Sequence, residues 1–144
     1  MLLVDTYNTL KSGVPNAITV AKEMEKSGEQ LYGVRLDSGD LAYLAKETRK
    51  LLDHAGLDFV KIVASNQLDE YVIKSLEEQH APIDIFGVGT NLVTGKPDAA
   101  LGGVYKLSEF NGEPRIKLSE NIIKISLPSK KQVFRMIDEN GMFY

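Results

Sequence analysis

Four short apolar runs alternate with helical patterns at nearly even spacing, and this alternation limits the possible folds more than any other feature. Leu2–Val4, the stretch holding Leu31, Val34 and Leu36, Phe59–Val63, and Ile83–Phe86 read as strands. After Pro15, which suits a first helical turn, Ala17, Ile18, Ala21 and Met24 recur at helical spacing until Gly28. A second helix carries Leu41, Leu44, Ala45, Thr48, Leu51, Leu52 and Ala55 on one face. Its other face holds Lys46, Glu47, Arg49, Lys50 and Asp53, and Gly56 closes it. A third helix has Leu68, Val72 and Leu76 along it, with Ser65 or Asn66 as its cap and Asp69 and Glu70 in its first turn. Strand, helix, strand, helix is the pattern of parallel βα units. The expected class is α/β, a segment of a barrel or of a doubly wound sheet.

Beyond Pro97 the pattern changes. Gly103–Leu107 and Arg115–Leu118 flank Asn111-Gly112, a strong hairpin signal. Gln132–Ile137 then meets Asn140-Gly141 and a last apolar trio, Met142–Tyr144. The expected organisation is therefore a partial (β/α) barrel over residues 1–98, with a trailing antiparallel β-hairpin segment over 99–144. Four parallel strands do not close a barrel, which needs about eight. The chain is accordingly expected to be a piece of a longer one.

Composition narrows the function. The 144 residues are 43% hydrophobic and 26% charged, the makeup of one globular unit. Twenty acidic against 17 basic residues give a net charge of −3, and the lysines are scattered, which argues against a nucleic-acid groove. The absence of cysteine excludes disulfides, thiolate zinc sites and cysteine nucleophiles. No apolar run is long enough to span a bilayer and no signal-peptide layout opens the chain, so a cytoplasmic protein without a membrane partner is expected.

The chemistry lies at the strand ends. Each run finishes in polar or glycine residues: Asp5-Thr6, Arg35 with Asp37-Ser38, Ser65-Asn66, and Gly87 with Gly89-Thr90. Parallel strands place these ends on one face, where ligands bind in α/β architectures. Arg35 can fork onto phosphate or carboxylate. Asp37 and Asp40 can accept bonds from sugar hydroxyls or hold a divalent cation. A glycine-rich loop can cradle phosphate with its bare N–H groups. The set matches a sugar-phosphate site. Each part also has a structural reading: Arg35 and Asp37 as a pair fastening a loop, Asp40 in a helix's first turn, Asp5 as a turn residue, and Gly87–Gly89 as a tight βα turn. Tyr7 beside Asp5 could stack on a base or pack in the core. His54 reads as a solvated residue near a helix end and His80 as a loop residue, and two isolated histidines make no metal pattern.

Several motifs also resemble the nicotinate phosphoribosyltransferase family: Leu3-Val-Asp-Thr-Tyr7, Gly33-Val-Arg-Leu-Asp-Ser-Gly-Asp40, Ala64-Ser-Asn66 with Leu68-Asp69-Glu70, and Phe86-Gly-Val-Gly-Thr90. Leu101–Leu107 and Lys130–Phe134 resemble it too. The resemblance implies an enzyme of NAD salvage. It joins nicotinate to 5-phosphoribosyl-1-pyrophosphate, coupled to ATP hydrolysis, with magnesium required and no bound organic cofactor. By that analogy Asp5, Arg35 and Asp37 are the catalytic centre, and Ser65 and Asn66 lie near the ribose hydroxyls. Gly87, Gly89 and Thr90 hold the 5′-phosphate, while Thr6, Tyr7, Ser38 and Asp40 complete the substrate site. The family's phosphorylated histidine lies upstream of the Asp-Thr-Tyr motif, so neither His54 nor His80 stands in for it. Family members are dimers with sites formed between subunits, so a homo-oligomer is expected. The isolated chain is expected to have no turnover. The competing expectations are a nicotinamide- or quinolinate-using relative, a non-catalytic phosphate-binding or dimerisation module, and a complete small α/β binding protein.

Overall fold

The computed structural model describes residues 1–94, 103–118 and 125–143. Four parallel strands form one sheet in chain order: β1 (Leu2–Leu3), β2 (Gly33–Leu36), β3 (Lys61–Ala64) and β4 (Ile85–Phe86). Between them run α1 (Val14–Lys26), α2 (Leu41–His54) and α3 (Glu70–Glu78), and α4 (Thr90–Val93) follows β4. The α/β architecture expected from the alternation is the one found.

Register explains what each strand residue does. Leu2, Val34 and Ile62 form one row across the sheet, and all three pack into a core with Val14, Ala17 and Ala21 of α1 and Ala45 and Leu52 of α2. The neighbouring row is Leu3, Arg35, Val63 and Ile85. Side chains alternate between faces along a strand, so Arg35 projects from the face opposite the helices. A second cluster joins Ala42, Ala64, Leu68 and Leu76.

Helix α2 obeys its pattern with two changes. Ala42 is buried, whereas Leu51 is a third exposed, because the inward stripe follows Ala42, Ala45, Thr48 and Leu52. Arg49, expected among solvated charges, folds back instead. Its Nη1 and Nη2 donate to the carbonyls of Val60 (2.8 Å) and Leu57 (2.9 Å), and Nε donates to Asp53 (2.7 Å). The guanidinium thereby satisfies the loop that leads into β3.

A second correction concerns α3. Its cap is Asp69, which accepts from the amides of Tyr71 and Val72, rather than Ser65 or Asn66. The chain must first turn sharply: Asn66 and Gln67 both adopt left-handed backbone, with φ of 78° and 49°. Such conformations cost on the order of 1–3 kcal/mol each outside glycine.

Between β1 and α1 the chain makes a π-helical turn, Thr9–Gly13, which the sequence pattern did not reveal. Asn8 caps it by accepting from Lys11 N at 2.7 Å. Gly13 lies flat against β1, where a Cβ would fall 1.8 Å from the Val4 carbonyl oxygen.

In the C-terminal part, β5 (Glu109–Phe110) and β6 (Glu113–Pro114) pair antiparallel around Asn111-Gly112. Both turn residues are left-handed, at 52° and 76°, as a two-residue hairpin turn requires. The expected strand runs, 103–107 and 115–118, are not strands, and the pairing falls instead on the two residues on each side of the turn. Around Asn140-Gly141 a single bridge joins Ile137 and Phe143. Leu101, Gly102 and Tyr144, along with the expected boundary at 98/99, lie outside the described residues. Among the described residues, all buried hydrophobic ones belong to the first 76.

Candidate functional site

The strand ends do converge, and they build two hollows on either side of β2. Ladder pairing continues one step past the strands. Val4 N donates to Arg35 O (3.2 Å), Ser65 N to Leu36 O (2.9 Å), and Gly87 N to Ala64 O (2.8 Å). These backbone bonds fix the polar ends against each other before any side chain is considered.

The larger hollow, about 490 Å³, is lined by Asp5, Tyr7, Ser38, Asp40 and Tyr43 together with the turn Asn8–Lys11. Asp5 is buried, at 7% exposure, and its Oδ2 accepts a hydrogen bond from Ser38 Oγ. Burying a polar group without such a donor is costly. Asp40 plays two parts. Its Oδ1 caps α2 through Tyr43 N at 3.0 Å, while its residue also lines the hollow. Gly39, at φ 78°, makes the turn between them possible.

The smaller hollow, about 230 Å³, is lined by Arg35, Ser65, Asn66, Gly87, Gly89 and Thr90, with Gln67, Leu68 and Asn91. Between the two hollows sits a closed triangle. Arg35 Nε donates to Ser65 Oγ at 2.7 Å, Ser65 Oγ donates to Asp37 Oδ1 at 2.5 Å, and Arg35 Nη2 reaches the same Asp37 oxygen at 3.0 Å. Arg35 and Asp37 are thus the fastening pair of the structural reading, yet Arg35 also opens onto the smaller hollow. The two readings of this pair are compatible.

Thr6 stands apart. It lines a third hollow with Leu2, Val4, Gly13 and Ala17, along the outer edge of β1. Tyr7, two-thirds exposed, borders both that hollow and the larger one. It is not packed in the core. His54 ends α2, and His80 lies in the loop after α3 with left-handed φ of 52°. Neither lines either strand-end hollow. Asn8, Tyr43 and Asn91 are lining residues that sequence reasoning did not single out. Only the adjacency of Asn8 to Tyr7 and of Asn91 to Thr90, and the one helical turn between Asp40 and Tyr43, could have signalled them.

Among the described residues no group of three or more His, Asp or Glu could hold a metal ion. No described helix is long and apolar enough to cross a membrane.

No family model matches the chain. It is 49% identical over 147 residues to nicotinate phosphoribosyltransferase of Bacillus subtilis, across 98% of this chain and 29% of that protein. The enzyme of the same name from Dictyostelium discoideum is 51% identical over 146 residues, covering 96% of this chain and 25% of its own length. The human protein is 40% identical, covering 96% and 27%. The crystal structure of human nicotinic acid phosphoribosyltransferase superposes with a TM-score of 0.56 and 34% identity, over 98% of this chain and 26% of that one. The chain therefore spans between a quarter and a third of the length of the curated relatives it matches.

Proposed function

We propose that this chain, which by sequence belongs to the nicotinate phosphoribosyltransferase family along nearly all of its length, supplies the phosphoribosyl-binding half of that enzyme's active site. The observation that carries this reading is the pair of hollows joined by the Arg35–Ser65–Asp37 triangle. One side offers a guanidinium and bare backbone at Gly87 and Gly89, as a phosphate requires. The other offers the buried carboxylate of Asp5.

The reaction proposed is the joining of nicotinate to phosphoribosyl pyrophosphate, releasing pyrophosphate, within NAD salvage. As the C1–O bond to pyrophosphate breaks, positive charge develops at the ribose C1. Fixed carboxylates at Asp5 and Asp37 stabilise it without reorganising. Arg35, Gly87, Gly89 and Thr90 hold the 5′-phosphate, and Tyr7, Ser38 and Asp40 border the space left for base and leaving group. Asp5 and Asp40 offer hard oxygens of the kind magnesium takes when it arrives on a polyphosphate rather than in an all-protein cage. When bound, magnesium offsets the leaving group's charge. In the reading proposed here ATP coupling would call on a phosphorylatable histidine, and His54 and His80, which line neither hollow, are given no part in it.

Self-association belongs to the same reading. Val104, Tyr105, Val133 and Phe134 are each more than three-quarters exposed, and apolar surface of that kind is buried in assemblies.

The deciding experiment is a thermal-shift titration with magnesium and phosphoribosyl pyrophosphate on the parent chain, Arg35→Ala and Asp37→Ala. A shift in the parent that both substitutions abolish supports the site. No shift in a folded parent sinks it. Nicotinate mononucleotide formed by this chain alone would overturn the expectation of no turnover.

A further inference from the structure

Ser65 carries an arrangement that a simple ligand contact does not explain. It is 5% exposed, and its position is set by backbone, since Ser65 N bonds Leu36 O. A serine hydroxyl has one proton to donate. That proton goes to Asp37 Oδ1 at 2.5 Å, while the oxygen accepts from Arg35 Nε at 2.7 Å. With Arg35 Nη2 on the same carboxylate oxygen, two of the three guanidinium nitrogens are tied. The third, Nη1, is engaged by neither partner, and Arg35 borders the smaller hollow.

We propose that Ser65 is a positioning residue: it fixes the plane of the Arg35 guanidinium so that its remaining edge faces the anion held in the smaller hollow. The inference rests on the reading of that hollow as a phosphate site, and it reassigns Ser65 from contact with ribose hydroxyls. Arginine on an unsupported stem loses rotamer freedom on binding, whereas one already held in its fork geometry loses less. Arg35 is nearly half exposed along its side chain, so the support must come from specific bonds rather than from packing.

Two ligands separate positioning from contact. Inorganic pyrophosphate has no ribose and phosphoribosyl pyrophosphate does, and each is titrated with magnesium against the full chain. Positioning predicts that Ser65→Ala weakens both by the same factor, about tenfold for a charge-assisted bond. In the isotope-labelled chain, solvent exchange of the Arg35 Nε proton should accelerate in Ser65→Ala, with or without ligand. Should Ser65→Ala unfold, Ser65→Cys fills the site with a somewhat larger atom that is a much weaker donor and acceptor, and the same comparisons apply. Loss confined to the ribose-bearing ligand, or an unchanged Nε exchange rate, overturns the proposal while leaving the site standing. A parent chain that binds neither ligand removes the phosphate reading, and this inference with it.

Discussion

Ser38 Oγ donates to the buried carboxylate of Asp5, joining residues that lie 33 positions apart in the chain. The bond ties the end of β1 to the turn that opens α2, and it supports the only carboxylate in the larger hollow that is itself buried. Ser38→Ala leaves Asp5 with one donor fewer in a poorly solvated place. The expected cost is about 1–3 kcal/mol, read as a lowered urea midpoint, with Ser38→Thr losing less. Equal stability for Ser38→Ala and the parent would show the bond to be energetically silent.

Thr48 is fully buried on α2, and its hydroxyl has no hydrogen-bond partner. Valine has nearly the same shape and no polar atom to desolvate. Thr48→Val is therefore expected to stabilise the chain by about 1 kcal/mol, raising the midpoint of chemical denaturation. A destabilised variant would show that the hydroxyl is satisfied in solution.

Gly13 tests how tightly the π-helical turn is pressed onto β1. An alanine methyl would collide with the Val4 carbonyl, which is backbone and has nowhere to go. Gly13→Ala should cost more than about 3 kcal/mol and remove the cooperative thermal transition seen by circular dichroism. Gly28→Ala is the control. Its φ is 78° but no atom lies within 4 Å of the added carbon, so the expected cost is only about 1 kcal/mol. Similar melting of the two variants would contradict the close approach.

Asp84 links stability to pH. Burial pushes its pKa up, but the Ile62 amide, at 2.8 Å, and the Lys61 ammonium, at 2.9 Å, outweigh that and hold it below the ordinary 3.8. A folded-state value below the unfolded one means that the unfolded chain takes up the proton first as pH falls. The contribution of Asp84 is therefore complete above 3.8 and is lost as pH drops below it through the depressed folded value. Asp84→Asn should be less stable than the parent at neutral pH and should match it in strong acid. A gap that stays constant down to acid pH would refute the linkage.

Gly87 separates access from folding. A methyl there would meet Ser65 Cβ at 3.4 Å and the Ala64 carbonyl oxygen at 3.6 Å, ordinary contacts that need no rearrangement. Gly87→Ala should melt close to the parent, within about 0.5 kcal/mol, yet bind magnesium pyrophosphate several-fold more weakly because the methyl enters the smaller hollow. Undiminished binding would move the anion elsewhere.

The sheet and its helices were legible because each βα unit carries its own signals: an apolar run, a breaker and a helical period. Asp40 was visible as a first-turn residue and proves to be the cap itself. What escaped sequence reading depends on reach and on neighbours distant in the chain. The cap of α3 was placed at Ser65 or Asn66 because the left-handed Asn66-Gln67 turn has no compositional mark, and glutamine least of all. Arg49 read as a solvated charge because periodicity locates a Cα, while its guanidinium travels far enough to find two carbonyls. The strand-end polar residues were foreseen as a group. Their division into two hollows, with Thr6 outside both and Asp37 held in the triangle between them without lining either, follows from the direction of side chains, which a linear pattern does not record. In the C-terminal part the turn Asn111-Gly112 was readable, but strand length was not, because a strand's extent depends on what packs against it.

Among the described residues each of the four strands pairs only with its neighbours in the chain, so the polar links can be assembled in the order in which the polypeptide is made. Synthesis of the second unit allows Ser38 to meet Asp5, and synthesis of the third brings Ser65 to Arg35. Each link closes a loop of some thirty residues, 33 and 30 positions respectively, so neither must wait for the distant end of the chain. A ribosome releasing this segment would deliver the two hollows one after the other, the Asp5 side first.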